Sequence, residues 1–404
     1  MNHQLKFLSI AALINGTCFS MILPLLAPLT RQLKLSEFQG GVIVAAGAIC
    51  MAIASVWIAK RQEQQSPQKL VNFGFWGMTA TWAIFTLILY LGLKTIFPAL
   101  LIFVLLVVSR ALTGFFMALP QIGLQSYVMG ILTDTNQRSQ QMAMFGAMNS
   151  LGMIVGPFLT SVFLIGGLLL PMWIAVGCLF LMSFILSFRF TQDIPSGNRS
   201  VKPEATLPSD SQDGSILKQS AVWLFLGFIT YVAIVTLNMT AGFYIQDKYQ
   251  LDSHQSALYF SQCMLIVGIC LVITQILIVK VFKLNLNSLV VIGIVTMCLG
   301  LTLSISASSV SLFQTSYIFY GISVACLLPA FTAGAAQSVS QNLQVKMAGF
   351  CTATQALGLI VGPLISTWLY HYSFYLPFYF LMFLMLIIAC YFFWSEVYKP
   401  KFGS

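Results

Sequence analysis

Leu151-Gly152-Met153-Ile154-Val155-Gly156-Pro157 recurs almost unchanged as Leu357-Gly358-Leu359-Ile360-Val361-Gly362-Pro363, 206 residues later. In each copy a glycine sits four residues before Gly-Pro inside a long apolar run. One helix face is thereby stripped of side chains where proline also removes a backbone donor. Between membrane helices such a face lets backbones approach closely, and the bend is tolerated because neighbouring groups re-satisfy the freed carbonyl. Ordinary helix packing accounts for either copy alone. Two copies at one spacing predict a duplicated fold, and internal pseudo-symmetry in a chain with many spans points to transport.

The composition sets the solvent in which that repeat folds. Of 404 residues 58% are hydrophobic and 7% charged, with a mean hydropathy of +0.90, which excludes a water-soluble globular domain of this size. Apolar runs of roughly 20 residues follow one another along nearly the whole chain. They predict an all-α membrane protein with twelve spans, over 5–29, 36–59, 70–92, 98–130, 140–163, 167–190, 219–246, 253–279, 285–307, 310–337, 344–369 and 372–396. Only Lys6 precedes the first apolar run as a charge, and that run has no small-residue cleavage site, so it is expected to be retained as a span. All nine cysteines fall inside predicted spans without a CxxC pair, which predicts packing residues and neither a metal site nor a disulfide framework.

A net charge of +9 would also suit a nucleic-acid partner, but its distribution fits membrane orientation. With twelve spans and the N-terminus inside, fourteen Lys and Arg fall on the cytoplasmic side. Four, namely Arg31, Lys34, Lys94 and Lys248, fall outside, and Arg110 is left within a span. Both termini are therefore expected in the cytoplasm of a multi-pass inner (plasma) membrane protein. The first outer loop carries a capping box, Ser36 with Gln39, and Asp252 with Gln255 occupies the same roles 216 residues later. Residues 191–218, polar and rich in Pro, Ser and Gly, read as a mobile cytoplasmic linker. The expected organisation is a six-helix bundle over 1–190, that linker, and a second pseudo-symmetric six-helix bundle over 219–404.

This pattern resembles the major facilitator superfamily, and within it the drug:proton antiporter branch, along essentially the whole chain. Three motifs carry the resemblance. The fifth-span antiporter motif looks like Gly146 through Gly152 to Gly156-Pro157, repeated in the eleventh span by Gly358, Gly362 and Pro363. The fourth-span motif looks like Arg110-Ala111-Leu112-Thr113-Gly114, with Ala118 one turn on. The loop between spans 2 and 3, usually Gly followed by Asp-Arg and Gly-Arg-Lys, is poorly matched by Ala59, Glu63, Gln64, Ser66 and Lys69. In the family that loop latches the two halves through an acidic residue. Glu63 keeps the charge while Gln64 and Ser66 do not keep the partners, which implies a weakened or rewired gate; a solvated loop with Lys69 obeying the positive-inside rule is the plainer account.

Arg110 lies about twelve residues into its span, where an arginine costs at least ~2.5–3.5 kcal/mol on insertion scales. The resemblance implies that it faces the central cavity or the fifth span and assists coupled proton movement; bracing of helices through carbonyls is the structural alternative. No carboxylate falls deep in a predicted span, which favours neutral or anionic cargo over cationic drugs. Asp247, Asp134 and Glu37 remain as candidates to titrate, and driving by the cargo's own charge is a further option. By family architecture spans 1, 4, 7 and 10 surround the cavity. Mid-span polar groups there are Asn15, Gln121, Tyr231, Asn238 and Tyr320, with Gln125 one turn from Gln121, and Asn149 and Gln355 behind them on spans 5 and 11. Phe19, Phe115, Phe243 and Phe331 would supply an apolar wall, although each taken singly suits core packing.

No nucleotide-binding loop and no His or Asp cluster is present, so no catalytic residue, cofactor or metal is expected. The expected function is a secondary transporter working by alternating access as a monomer in the lipid bilayer. Its cargo is a small amphiphilic neutral or anionic compound such as a drug, exported in exchange for protons, with no nucleic-acid partner. The alternative is export or import of a siderophore, and from another class a membrane-embedded lipid-modifying enzyme.

Overall fold

The computed structural model describes residues 3–61, 66–131, 135–190, 210–282, 284–339 and 344–397, and among these every regular element is helical. In the first half these are α1 (His3–Met21), α2 (Leu23–Gln32), α3 (Glu37–Arg61), α4 (Pro67–Leu93), α5 (Ala99–Ile131), α6 (Thr135–Phe163) and α7 (Leu170–Arg189). In the second they are α8 (Asp210–Tyr249), α9 (Ser253–Leu277), α10 (Leu286–Ser306), α11 (Val310–Gln337), α12 (Gln344–Tyr372) and α13 (Leu376–Val397). Ten stretches are long and apolar enough to cross a membrane, the first running through α1 and α2 together. Two further apolar helices, over Leu151–Gly166 and Leu376–Phe392, are shorter, so among the described residues ten of the twelve expected spans have that length.

Two boundaries differ from the sequence expectation. The apolar seventh span runs Gln219–Tyr249, beginning where expected, but its helix extends back to Asp210, so residues 210–218 of the expected linker are helical. Residues 191–209 of the expected linker lie outside the described residues. The first span is broken at Ile22. Pro24 has no N–H, and the Leu25 N–H reaches only to Ile22 O at 3.0 Å, so the Met21 carbonyl loses its intrahelical donor. Thr160 of α6 donates its hydroxyl to that carbonyl at 2.9 Å. Thr160→Val keeps the shape and removes the donor. An unsatisfied buried carbonyl costs about 1–3 kcal/mol, so the variant is expected to lower the Tm of the detergent-purified protein, and an unchanged Tm would show that the hydroxyl is dispensable.

The chain clusters into two compact units, Met1–Ala205 with Leu251–Gln262, and Thr206–Gln250 with Cys263–Ser404. α9 thus contributes its opening turns to the first unit and the remainder to the second. Those opening turns are held by Ser261, whose hydroxyl lies 2.5 Å from that of Ser161, and by the His254 ring, 2.9 Å from Leu164 O.

In the first unit α6 packs on α1 through the opening motif. A side chain at Gly152 would run into Leu13 O and the Thr17 N–H, and one at Gly156 into Ser20 Oγ and Thr17 O. Ser20 also donates to Gly16 O at 3.0 Å. α3 meets α5 where Gly114 lies against the Gly47 backbone, and α4 meets α5 where Gly74 lies against Leu119 and Pro120. The second unit repeats all three pairings. α12 meets α8 at Gly358 on Tyr231 and Gly362 on Val235; α11 meets α9 at Gly321 on Val267; α10 meets α11 at Gly293 on Leu327 and Gly300 on Tyr320. Prolines recur with them, Pro120 in α5 with Pro329 in α11, and Pro157 in α6 with Pro363 in α12.

The same correspondence governs the turns. α2 and α8 each end on a residue in the left-handed region, Lys34 at φ 57° and Gln250 at φ 53°. Leu35 N–H then closes on Thr30 O at 3.0 Å, the six-to-one bond of a Schellman end. The helices that follow open with the expected boxes. Ser36 Oγ accepts from Gln39 N–H at 3.2 Å while Gln39 Oε1 accepts from Ser36 N–H at 2.8 Å, and Asp252 accepts from Gln255 N–H at 2.7 Å.

Candidate functional site

Among the described residues Arg110 is the only charged side chain in the buried class, at 4% exposure. The α3–α5 contact at Gly47 and Gly114 decides its course, because the position of a Gly47 Cβ would lie only 3.2 Å from Arg110 Cγ and 3.4 Å from Arg110 Nε. A side chain at Gly47 would press on the arginine stem and force it to shift by a few tenths of an ångström. The group then comes to rest between two rings, with Cζ 5.4 Å from the Phe19 centroid on α1 and 5.3 Å from the Trp82 centroid on α4. Ser109, its chain neighbour, donates to Thr81 O at 3.2 Å and fixes the α4–α5 register on that side.

The energetics of this arrangement are unbalanced. Burying an ion costs several kcal/mol even after relaxation, and a cation over an aromatic face recovers about 0.5–2 kcal/mol. Two faces therefore fall short of compensation. Among the described residues no carboxylate makes up the difference: Glu37 pairs with Arg31 at 3.0 Å, and Asp247 accepts from Tyr370 at 2.6 Å. Within the same set Arg110 Nε has no hydrogen-bond partner, and neither does Trp82 Nε1 beside it.

One turn before Phe19 on α1, Asn15 Nδ2 donates to Asn149 Oδ1 of α6 at 3.3 Å, and Asn15 Oδ1 is left without a donor among the described residues. The structure thus brings Asn15, Phe19, Asn149 and Arg110 into one neighbourhood of α1, α5 and α6. Phe115, next to Gly114, is half-buried against Trp57 and Phe116, away from that ring pair. Gln121 is exposed. The side chains of Gln125 and of Glu63 lie outside the described residues, and Gly146 lies on α6 on the stretch leading to Gly152. Lys69 is exposed on the first turn of α4, where it lines an open groove of about 670 Å³ with Gln68, Asn72, Phe73 and Trp76.

The second unit disposes its candidates differently. Tyr320 is fully buried between α10 and α11, with its hydroxyl 2.7 Å from Ser304 Oγ, which in turn donates to Ser316 at 2.7 Å. Phe331 is buried against Gly227 and 6.4 Å from the ring of half-buried Tyr231. Phe243 is buried beside the Tyr370 ring. Asn238 is half-buried on α8 and Gln355 exposed on α12. Tyr231 and Phe331 therefore share one wall, while Tyr320 belongs to a closed hydroxyl chain.

Two features escaped sequence reasoning. Trp82 lies on the third span, which family architecture leaves out of the cavity, and nothing local marks it. Lys248, read only as an outer-loop charge, caps the end of α10: its Nζ donates to Ile305 O at 2.8 Å, Ser304 O at 3.3 Å and Tyr244 Oη at 2.8 Å. The rings of Tyr244, Tyr249 and Tyr375 surround it at 5.0, 5.8 and 5.4 Å. A cation at a helix C-terminus adds up to ~2 kcal/mol in a partly buried setting. Lys248→Met is expected to destabilise the protein by about that amount in thermal unfolding; retention of the wild-type Tm would show the cap to be energetically idle.

The family model described as Major Facilitator Superfamily matches residues 8–307 and again 283–403. No curated protein sequence matches the chain. Among solved structures, a point mutant of the nucleoside transporter NupG superposes with a TM-score of 0.74 at 14% identity, covering 98% of this chain and 100% of that one. A bacterial homologue of the human lysosomal transporter Spinster, inward-facing and occupied, gives 0.74 at 12% identity over 99% and 97%. The human organic anion transporter MFSD10 gives 0.62 at 15% identity over 95% and 97%. At these identities the likeness is one of fold.

Proposed function

Because the chain belongs to the major facilitator superfamily and is a transporter, not an enzyme, we propose that it exports small amphiphilic compounds, neutral or anionic, across the inner membrane by alternating access. The observation that carries the cargo class is the charge inventory: Arg110 is the one buried ionic group among the described residues, and it is positive. A cationic cargo would enter a site with no anion to offset its lost hydration, whereas a carboxylate or a neutral ring system meets a cation and aromatic faces. The fifth-span motif supports outward transport and the drug:proton antiporter branch. The neighbours' cargoes, nucleosides in one and organic anions in another, do not narrow the choice further.

In this reading the bundles of 1–190 and 219–404, joined by 191–218, alternate, with Asn15, Phe19 and Arg110 the cargo-facing candidates of the first, Tyr231, Asn238 and Phe331 those of the second, and Gly152, Gly156, Gly358 and Gly362 packing the helices within each. The protein works as a monomer with both termini cytoplasmic. Protons drive the exchange, and Asp247, tied to Tyr370 on α12, is the described carboxylate best placed to carry one between α8 and α12.

The test is uptake into proteoliposomes of matched anionic, neutral and cationic amphiphiles with and without an imposed ΔpH. Accumulation of the first two, stimulated by ΔpH, supports the reading. Preference for the cation sinks the cargo class, and indifference to ΔpH removes proton coupling. A siderophore remains the second candidate, since an anionic or neutral chelate suits an interior with no buried carboxylate among the described residues; iron-limited growth of a deletion strain would favour it over drug sensitivity.

A further inference from the structure

The charge and the hydrogen bonds around Arg110 are out of balance in the same direction. Among the described residues two buried donors, Arg110 Nε–H and Trp82 Nε1–H, lack any acceptor, and they belong to groups in ring contact, with the guanidinium carbon 5.3 Å from the indole centroid. Both side chains are more than nine-tenths buried, at 4% and 1% exposure. The backbone of α3 runs close by on the Nε side, where the place of a Gly47 Cβ would be 3.4 Å from that nitrogen. Among the described residues no carboxylate pairs with the guanidinium. The remaining unpartnered atom in the neighbourhood, Asn15 Oδ1, belongs to the amide pair with Asn149 and seeks a donor of its own.

We infer that this place between α1, α3, α4 and α5 is a binding site for one small monovalent anionic group. The group accepts from both orphan N–H donors and neutralises the buried cation. An uncharged occupant such as water would satisfy the donors and leave the charge. Two sources share this chemistry, a free halide and the carboxylate of a bound organic anion. The site is a property of the first unit's interior and stands whether or not the protein exports its cargo.

The test uses the purified full-length protein in detergent, with isethionate as the background anion at fixed ionic strength, titrated separately with chloride, bromide and benzoate. Thermal midpoint and tryptophan fluorescence report binding in the absence of transport, so a failed export assay and a failed binding assay remain distinct. A saturable rise in midpoint with chloride and bromide identifies a halide site. A rise with benzoate alone identifies a carboxylate site. Trp82→Phe, which keeps the ring and loses the N–H, is expected to weaken the effective affinity about tenfold, the usual worth of a hydrogen bond to a charged group. Arg110→Gln is expected to abolish the response. No saturable response to any of the three in wild type overturns the inference, as does an undiminished response in Trp82→Phe, which decides the matter even where Arg110→Gln fails to fold.

Discussion

Arg110→Met is expected to leave the protein as stable as wild type or more so while abolishing transport. The two effects separate because they draw on different properties of the residue. Stability is governed by a buried charge held by two ring faces, with no carboxylate and an unpartnered Nε among the described residues. Replacing a buried ionic group by an apolar side chain of similar length is commonly neutral or stabilising by about 1–4 kcal/mol. Methionine fits the path past Gly47 and packs on Phe19 and Trp82 through its thioether. Under the proposed function transport uses the positive charge, so the turnover of reconstituted protein should fall to background at an unchanged or raised Tm. A drop in Tm with retained transport would mean that the guanidinium is a helix brace. Thermal unfolding in isethionate and in chloride completes the comparison, because an anion-stabilised wild type would narrow or reverse the gap in chloride.

Gly152→Val is expected to prevent the first unit from assembling, whereas Gly362→Ala at the second glycine of the repeated motif should be tolerated. At Gly152 the obstacle is backbone, Leu13 O and Thr17 N, which no rotamer change relieves. The cost lies at the upper end of overpacking, about 3 kcal/mol, and α1 is displaced with it. At Gly362 an added Cβ would lie 3.0 and 3.1 Å from Val235 Cβ and Cγ1, a pressure the valine relieves by shifting a few tenths of an ångström. Alanine also recovers up to ~1 kcal/mol of helix propensity. The monodisperse fraction in size-exclusion chromatography separates the two variants. Equal behaviour of both would mean that the backbone contact at Gly152 gives way as readily as the valine at Gly362.

The motif shared by 151–157 and 357–363 carried much of the fold. Small residues at fixed spacing and capping boxes are local codes, and the structure uses each of them where the residues place it. Helix pairing through Gly47 with Gly114, or Gly74 with Pro120, follows from the same chemistry but needed coordinates, because lone glycines give no partner. The site was less legible. Arg110 is conspicuous in sequence since charge is rare at membrane depth, yet its neighbours are a phenylalanine and a tryptophan among 33 and seven of their kinds. Tyr320 shows the converse. A mid-span hydroxyl looks like a cavity group, but Gly300 across from it opens a socket in which Ser304 and Ser316 consume its hydrogen-bonding capacity.

The repair of the first span has a consequence for biogenesis. The Met21 carbonyl is synthesised 139 residues ahead of Thr160, the hydroxyl that serves it. While the ribosome is still making the intervening helices, that oxygen must be met by water or translocon groups, because lipid offers no donor. The broken segment therefore reaches its final seat only after the fifth span has left the exit tunnel. Nascent chains halted before that point should hold their amino-terminal helix in a hydrated, protease-sensitive form, and those released just beyond it should not.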